Sequence, residues 1–239
     1  MINVKTIIIA TIKPWNIKNA EKIAQKIKDK YHTEIITNKE ELTAEKIKAL
    51  NPEYIFFPHW SWKIPESIYK QYNCIVFHMT DLPFGRGGSP LQNLIVSGYK
   101  QTKISAIKVV EAMDAGPVYL KEELELYGTA DEIFMRASKI VFEKMIPKIL
   151  ENNITPAEQQ GEITPFKRRK PEESNIENLK TLKQLYDYIR MLDGEDYPKA
   201  FIETEQFKVE FSRASLKQDG IIADAKIILK KVHTEQETD

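Results

Sequence analysis

The sequence predicts an α/β protein with a Rossmann-like, mainly parallel sheet and a small C-terminal α+β appendage. In the first half, apolar runs of strand length alternate with stretches whose apolar residues recur at helical spacing. Those strands are continuously apolar, which is typical of a parallel sheet that helices cover on both faces. Beyond residue 153 the chain turns polar, and one helix and three short strands follow. We therefore predict a main domain over residues 1–153 and a connector with a small subdomain over residues 154–239.

The strands and helices of the first half follow one another in order. Residues 6–11 form a β-branched run of strand length, and residues 16–31 carry the apolar positions of an amphipathic helix. The pattern continues with a strand at 34–37, a helix at 43–50 with Thr43 as its cap, a strand at 54–57, a helix at 65–72 and a strand at 74–77. Ligands of open parallel sheets bind beyond the carboxyl ends of the strands. A functional site is therefore expected just after residue 77.

The second half begins with two further extended segments and a long helix. Residues 103–110 and 118–126 have the composition of strands, and residues 131–150 form a helix with one apolar face. The polar segment that follows holds prolines and the basic run from Lys167 to Lys170, as in a connector or an exposed arm. The appendage then has a helix at 179–192, which Gly194 ends, and strands at 200–202, 207–211 and 223–229. Its exposed apolar strands are compatible with a homodimer.

Charge and composition argue against several classes of partner. The 35 basic residues balance 35 acidic ones and the pI is about 6.9, so no bulk field would attract nucleic acid or a membrane surface. We therefore expect neither of these partners. The single cysteine, Cys74, allows no internal disulfide, and the four histidines are scattered, so we expect a cytoplasmic protein without a bound metal. No glycine follows the first strand, which argues against a nicotinamide cofactor.

One segment after the fourth strand has a distinctive chemistry. Leu82 to Pro90 holds two prolines, three glycines and one arginine, which predicts a loop that exposes backbone groups to a ligand and not a helix or strand. His78 ends the preceding strand and is a candidate general base, since imidazole exchanges protons near neutral pH. Asp114 ends the next predicted strand, and a parallel sheet would bring both strand ends to one edge. We therefore expect an oriented pair of His78 and Asp114.

These residues resemble the motif of the folate-dependent formyltransferase family, which includes methionyl-tRNA, glycinamide-ribonucleotide and nucleotide-sugar N-formyltransferases. The resemblance is carried by His78, Leu82-Pro83, Arg86-Gly87 and Pro90, and later by Met113-Asp114-Ala115-Gly116. It implies a formyltransferase domain in which 10-formyltetrahydrofolate donates a formyl group to a primary amine, with His78 as base and Asp114 orienting it. The pterin would lie against two loops, and the implied cofactor contacts are Leu82, Phe84, Gly85, Arg86, Gly87 and Met113.

Within this family, the resemblance spans roughly residues 55–211 and implies a particular substrate. The chain looks most like enzymes that formylate the 4-amino group of a nucleotide-linked amino sugar on the pseudaminic acid route, and like formylation domains of peptide synthetases. A nucleotide sugar is therefore the first expectation. Methionyl-tRNA comes second, because enzymes acting on it usually carry a larger and more basic C-terminal domain. Glycinamide ribonucleotide comes third, and a non-catalytic folate- or nucleotide-binding homologue is the alternative outside the enzymes.

Three features near the motif have more than one interpretation. The family's asparagine falls two residues before the histidine, where this chain has Val76, so either another group, with Gln92 and Asn93 as candidates, offers a donor to the oxyanion or activity is weak. Trp60, Trp62 and Lys63 follow the third strand and either pack in the core or bind substrate as a wall of the folate or sugar pocket. The basic run from Lys167 to Lys170 is either a solvated arm or a contact for a diphosphate.

Overall fold

The computed structural model describes residues 4–230 of the chain. Its contacts divide into two compact units. The first contains the residues up to Pro90, Lys100–Leu126 and Glu132–Arg168, and the second contains Leu91–Tyr99, Tyr127–Asp131 and the chain from Arg169 onwards. From the sequence we predicted one domain boundary, near residue 153. The two units above are groups of contacting residues, so the position of that boundary stays a prediction.

The first unit is built on a six-stranded sheet with a separate two-stranded ribbon. Its strands are β1 (Lys5–Ala10), β2 (Tyr31–Ile36), β3 (Tyr54–Phe57), β4 (Cys74–His78), β5 (Phe84–Gly87), β6 (Gln101–Lys108), β7 (Val118–Glu125) and β8 (Thr164–Phe166). The order in the main sheet is β2-β1-β3-β4-β6-β7, and β5 pairs with β8 in the ribbon. Strands β1 to β4 run parallel to one another, whereas β6 and β7 are antiparallel to their neighbours. The predicted α/β class with a mainly parallel sheet is confirmed.

Burial explains why the central strands are continuously apolar. Ile7, Ile8 and Ile9 of β1 are fully buried, and all four residues of β3 are buried as well. Successive residues of a strand face opposite sides of its sheet, so burial of every residue requires cover on both faces. The apolar runs in the sequence therefore indicate strands in the centre of the sheet.

The direction of β6 differs from the expectation. We expected a parallel sheet that continues through this strand, but β6 is antiparallel to β4, with His78 opposite Ser105 and Ile75 opposite Lys108. A parallel connection needs a crossover that returns the chain to the edge where the first strand began. Residues 79–100 instead form β5 and a short helix, and β6 enters beside the end of β4. The carboxyl end of β6 thus lies at the opposite edge of the sheet from His78.

The helices follow the predicted pattern with local differences. They are α1 (Pro14–Ile27), α2 (Ala44–Leu50), α3 (Glu66–Tyr69), α4 (Pro90–Val96), α5 (Ala130–Ile140), α6 (Ile146–Asn152) and α7 (Leu182–Leu192). Thr43 caps α2 as predicted, since its hydroxyl accepts a hydrogen bond from the Lys46 amide at 3.2 Å. The long helix expected at 131–150 is α5 and α6 joined by the π-helical turn Val141–Met145. Pro147, which has no N–H to donate, is the second residue of α6 after that turn.

The second unit contains α7 and a three-stranded antiparallel sheet. The strands are β9 (Ala200–Glu203), β10 (Phe207–Leu216) and β11 (Ile221–Leu229), in the order β11-β10-β9. Strand β10 continues beyond its predicted end at residue 211, past a bulge at Arg213, where φ is +51°. The predicted α+β appendage is confirmed. No helix within residues 4–230 is long and apolar enough to span a bilayer.

Candidate active site

His78 lies at the end of β4 and is held by a backbone carbonyl. Its side chain is buried, and its Nε2 atom lies 2.8 Å from the Gly85 carbonyl oxygen. A carbonyl oxygen only accepts hydrogen bonds, so Nε2 must carry the hydrogen that makes this bond. In the neutral ring the lone pair is then on Nδ1. The Gly85 carbonyl therefore selects the tautomer in which Nδ1 is the basic nitrogen.

Asp114 approaches this basic nitrogen from the loop between β6 and β7. Its Oδ1 atom lies 3.5 Å from Nδ1 of His78, and its Oδ2 atom accepts a hydrogen bond from the Gly87 amide at 3.0 Å. The residue has φ of +52°, a left-handed conformation that Asp and Asn tolerate better than most residues. The carboxylate therefore contacts both the histidine and the glycine-rich segment.

The route by which Asp114 arrives differs from the expectation. We expected two parallel strand ends at one edge, which is wrong because β6 is antiparallel. The loop at residues 109–117 instead folds back beside Val76 of β4, and it starts and ends at a hydrogen bond from the Lys108 amide to the Pro117 carbonyl. At Gly116 a Cβ would collide with the Lys108 carbonyl, so this return requires glycine.

The glycine-rich segment contains a strand that the sequence did not predict. We expected only a loop from Leu82 to Pro90, but Phe84–Gly87 forms β5 and pairs in parallel with β8, about 80 residues further along the chain. Gly87 has φ of +114°, and a Cβ there would meet the Phe166 carbonyl oxygen. The strand was missed because its partner is remote in sequence and its composition, with glycine and proline, is atypical of strands.

The beginning of this segment is fixed to the sheet by polar contacts. The Leu82 side chain is fully buried, its amide donates to Ser105 Oγ at 3.3 Å, and Lys121 Nζ donates to the Leu82 carbonyl at 2.5 Å. Lys121 also donates to Asp81 Oδ1 at 2.5 Å. Partial burial raises the pKa of the Asp81 carboxyl, but hydrogen bonds from Lys121 and Lys103 outweigh it and hold that pKa below its usual range. Leu82 thus anchors the segment.

Gln159 is a site residue that sequence reasoning missed. Its Nε2 atom donates to the carbonyl oxygens of Asp114 and Gly116 at 2.8 and 2.9 Å. Its Oε1 atom accepts from Nε and Nη2 of Arg86 at 3.1 and 2.8 Å. One carboxamide therefore joins the glycine-rich segment to the loop of Asp114. No local signal marks it, because it lies in a polar connector and its partners are remote in sequence.

The other implied cofactor residues are distributed around one cavity and the β5–β8 ribbon. Val76, Met113 and Asp114 line a cavity of about 150 Å³, and Met113 is 74% exposed. Phe84 packs edge-on against Phe166 with ring centroids 5.3 Å apart. Gly85 presents its carbonyl to His78, and Arg86 binds Gln159. Their contacts with a cofactor stay predictions.

The aromatic residues after β3 form a separate cluster. Trp60 packs against an apolar core of the first unit, and its ring centroid lies 6.0 Å from that of Phe57 and 4.9 Å from that of Trp62. Trp62 is 39% exposed and Lys63 is exposed. Trp60 thus has the core contacts that the sequence offered as one interpretation, and the substrate-binding role of the three residues stays a prediction.

Two other kinds of reactive group were considered within the described residues, a metal site and a reactive cysteine thiol. Within residues 4–230, no group of three or more His, Cys, Asp or Glu side chains is placed to hold a metal ion. Burial raises the pKa of the Cys74 thiol to about 12. The thiol therefore stays protonated at neutral pH and is a packing group.

Two family models match the chain. The model described as "Formyl transferase" matches residues 6–146, and the model described as "Methionyl-tRNA formyltransferase, C-terminal domain" matches residues 171–228. A solved methionyl-tRNA formyltransferase from Clostridium thermocellum is 60% identical, with a TM-score of 0.93, over 95% of this chain and 100% of that chain. A methionyl-tRNA formyltransferase from Bacillus licheniformis is 28% identical over 163 residues, 65% of this chain and 52% of that relative. The chain thus spans about half the length of the curated relatives it matches.

More distant structures share the fold. HypX from Aquifex aeolicus, solved in complex with tetrahydrofolic acid, is 16% identical with a TM-score of 0.70, over 87% of this chain and 37% of that chain. A sugar N-formyltransferase from Shewanella is 14% identical with a TM-score of 0.67, over 84% of this chain and 93% of that chain. Identities this low establish similarity of fold alone.

These comparisons overturn two expectations. A nucleotide-linked amino sugar as the acceptor is wrong, because the chain is far more similar to a protein named methionyl-tRNA formyltransferase than to a sugar N-formyltransferase. The expectation of no nucleic-acid partner is wrong as well, since these more similar relatives are named for a tRNA substrate. It rested on balanced charge over the whole chain, and an average of that kind does not reveal a local basic run such as Lys167 to Lys170.

Membership of a family follows from the fold, the site and the extent of the match. The "Formyl transferase" model covers more than half of the chain, and the matched range includes both His78 and Asp114. The chain therefore belongs to the formyl transferase family.

Proposed function

We propose that this chain transfers the formyl group of 10-formyltetrahydrofolate to the amino group of methionyl-tRNA. The match of 60% identity to the Clostridium thermocellum protein, over the full length of that chain, is the observation that carries the substrate. The pair of His78 and Asp114 in the matched family range supports the reaction class. A folate donor agrees with membership of the family and with the tetrahydrofolic acid bound to the distant structure of HypX.

The contacts of His78 suggest how the amine would be activated. An amine that attacks the formyl carbon must lose a proton, and Nδ1 is the nitrogen left to accept it when Nε2 donates to Gly85. The proton gives the ring a positive charge, which the Asp114 carboxylate 3.5 Å away stabilises. The same proton then returns to the nitrogen of the departing tetrahydrofolate. In this scheme the Gly85 carbonyl orients the imidazole, and Asp114 supplies charge.

The oxyanion that forms on the formyl oxygen needs hydrogen-bond donors. Val76 lies two residues before His78 on β4, and so on the same sheet face, and offers none, although the family's asparagine would fall at its position. Protonated His78 and backbone amides of the adjacent loops are the donors that the chain can supply. We place the pterin in the cavity of about 150 Å³ lined by Val76, Met113 and Asp114.

A tRNA acceptor calls for cations near this site, and the basic run supplies them. Lys167 and Arg168 directly follow β8, which is hydrogen-bonded to the glycine-rich segment, and both are exposed. Gly88 packs against Arg168 so closely that a Cβ would lie 2.7 Å from its Cα. The run therefore begins beside the loop that carries the chemistry, where phosphates of an acceptor stem would pass.

Reversing two of these charges should weaken tRNA binding in a salt-dependent way. For the double variant Lys167→Glu/Arg168→Glu, we expect the slope of log Kd against log salt to fall by about 1.5 to 2, because two phosphate contacts are lost. Binding of methionyl-tRNA measured at several salt concentrations checks this. The control Lys22→Glu/Lys48→Glu makes the same charge change elsewhere on the first unit and should leave the slope unchanged. Equal slopes for the two double variants would contradict the assignment.

Gln159 should matter because it positions Asp114. In Gln159→Glu, two carbonyl oxygens would face a carboxylate in place of an amide donor, so we expect kcat to fall about 10- to 100-fold. Asp114→Asn should add little to that loss if Gln159 acts through Asp114. The control is Gln160→Ala, which truncates the exposed neighbouring residue and should keep the wild-type kcat. Additive losses in the double variant would instead assign Gln159 a general structural role.

The proposed activity is tested by direct transfer. The full chain is incubated with methionyl-tRNA and 10-formyltetrahydrofolate, and the amino acid is released and analysed by mass spectrometry for the gain of one formyl group. Methionyl-tRNA should be formylated, and uncharged tRNA should not. Binding of tetrahydrofolate without transfer to methionyl-tRNA would favour a non-catalytic homologue and refute the proposal.

A further inference from the structure

The carbonyl oxygen of Gly85, which selects the tautomer of His78, belongs to a residue outside the regular strand pairing. The register of the β5–β8 ribbon shifts between Phe84 and Arg86, so Gly85 is the extra residue of a bulge. It has φ of +77°, a conformation that glycine adopts without strain. A bulged residue is left out of the ladder, so its peptide group needs other partners to keep one orientation.

A buried threonine supplies a second hydrogen bond to this carbonyl. The Thr80 hydroxyl donates to the Gly85 oxygen at 3.4 Å, beside the bond of 2.8 Å from Nε2 of His78. A carbonyl oxygen has two lone pairs and can accept both bonds. Thr80 is fully buried, and a Cβ added at Gly85 would lie only 2.7 Å from the Thr80 methyl group. The threonine side chain thus packs against Gly85 and also binds its oxygen.

Thr80 is itself fixed to the central sheet. Its carbonyl oxygen accepts a hydrogen bond of 2.7 Å from Ser105 Oγ, and Ser105 lies directly opposite His78 in the β4–β6 ladder. Ser105 is fully buried, so this bond is shielded from solvent. A line of hydrogen bonds therefore runs from β6 through Thr80 to the Gly85 carbonyl and ends on the imidazole.

Asp114 favours the opposite tautomer of His78. In the neutral ring that Gly85 selects, the lone pair of Nδ1 faces the Asp114 carboxylate across 3.5 Å. A hydrogen on Nδ1 would replace this repulsion by a charge-assisted hydrogen bond. If the Gly85 carbonyl rotated away, the ring could take that form, and its lone pair would then lie on Nε2. The tautomer therefore depends on how firmly the Gly85 carbonyl is held.

We propose that Thr80 is a positioning residue that keeps Nδ1 of His78 free to accept the proton. Its hydroxyl fixes the Gly85 carbonyl, and the fixed carbonyl outweighs the attraction of Asp114 for a hydrogen on Nδ1. The consequence for catalysis rests on the proposed function. The tautomer can be measured without any substrate, so the two can fail separately.

Nitrogen NMR spectra of the full chain with isotope-labelled histidine test the tautomer. At about pH 8.5, where an ordinary imidazole is neutral, wild-type His78 should carry its hydrogen on Nε2 and none on Nδ1. Its signal is the one that His78→Asn removes. Thr80→Val and Thr80→Ala lack the hydroxyl and should shift the ring toward hydrogen on Nδ1, whereas Thr80→Ser should keep the wild-type spectrum. Wild-type nitrogen shifts in both Thr80→Val and Thr80→Ala would overturn the proposal.

A second substitution separates this role from a structural one. In Thr80→Val/Asp114→Asn the competing negative charge is absent, so the ring should return to the form with hydrogen on Nε2. A packing defect at Thr80 would not be repaired by a change at Asp114. A double variant with the same tautomer as Thr80→Val would contradict the competition between the two oxygens and overturn the proposal.

The expected catalytic consequence is a loss in kcat with little change in KM. For Thr80→Val we expect kcat to fall about tenfold and KM for either substrate to change less than about twofold, because the ring stays in place with its lone pair on the other nitrogen. Thr102→Val removes the hydroxyl of a buried threonine on β6 and should keep the wild-type kcat as the matched control. Wild-type kcat in Thr80→Val would overturn the proposal. The expected NMR shifts in a chain without formyl transfer would support the role of Thr80 and refute the proposed function alone.

Discussion

The variant His78→Asn is expected to lower kcat for formyl transfer by about 10²- to 10⁴-fold. Asparagine is polar and smaller than histidine, so it fits the same place, but its amide cannot accept a proton from the attacking amine. The site should therefore stay assembled while the proton acceptor is gone. Because the residues that line the cavity assigned to the pterin are unchanged, binding of tetrahydrofolate should change little.

Two measurements separate this loss from misfolding. Steady-state formylation of methionyl-tRNA gives kcat, and a fluorescence titration with tetrahydrofolate gives the Kd. His32→Asn, an exposed histidine on β2, is the matched control and should retain the wild-type rate. Full activity of His78→Asn would rule out the general-base role. Loss of both activity and folate binding would instead indicate that His78 mainly supports the structure.

The variant Asp114→Asn is expected to lower kcat by about 10²-fold or more. Asparagine tolerates the left-handed conformation at this position and can still accept the hydrogen bond from the Gly87 amide. The negative charge 3.5 Å from Nδ1 of His78 is removed, and a neutral amide group takes its place. The protonated ring that forms during the reaction then lacks its counter-charge, so the barrier rises while the ground-state structure remains.

The prediction for Asp114 is best checked against a second aspartate in the same backbone conformation. Asp196 has φ of +65° and belongs to the second unit, so Asp196→Asn makes an equivalent change outside the unit that carries His78. We expect that control to keep its kcat, and both variants to unfold at similar temperatures. Equal kcat for Asp114→Asn and the wild type would show that the carboxylate has no part in proton transfer.

Local pattern was sufficient for most of the first sheet. Two runs of the sequence are continuously apolar, Ile7 to Ala10 and residues 54–57, and both are covered on the two faces of the sheet. A run of this kind predicts a central parallel strand. Helix α2 begins at its predicted cap, Thr43. These features depend on residues within a few positions of one another. Periodicity and capping report such short-range relations well.

Long-range pairing was beyond the sequence. Strand β5 forms because Phe84–Gly87 pairs with Thr164–Phe166. No residue near Phe84 in the sequence indicates that this pairing will occur. The antiparallel direction of β6 likewise depends on how residues 79–100 connect it to β4. The position of Gln159 depends on the same long-range folding. Its hydrogen bonds to Arg86, Asp114 and Gly116 all join it to segments that are distant in sequence.

The substrate expectation failed for a related reason. Charge was summed over the chain, and the sum of zero argued against a nucleic-acid partner, so methionyl-tRNA was only the second expectation. Binding of a polyanion depends on where cations lie, and the exposed Lys167 and Arg168 follow the strand that pairs with the glycine-rich segment. Their position beside that segment follows from the pairing of β8 with β5, which no composition reveals.

The sequence by itself determined the α/β class, the succession of strands and helices along the first half of the chain and the chemical identity of the candidate site residues, because these follow from local periodicity and from side-chain types. From the sequence we expected His78 and Asp114 to meet at the ends of two parallel strands, but these two strands are antiparallel. Only the tertiary structure decided how they meet: a loop folds back over the sheet, the Gly85 carbonyl fixes the tautomer, and Gln159 ties the two loops together. Each of these contacts joins residues distant in sequence or depends on backbone direction, and such contacts are set by packing of the whole chain.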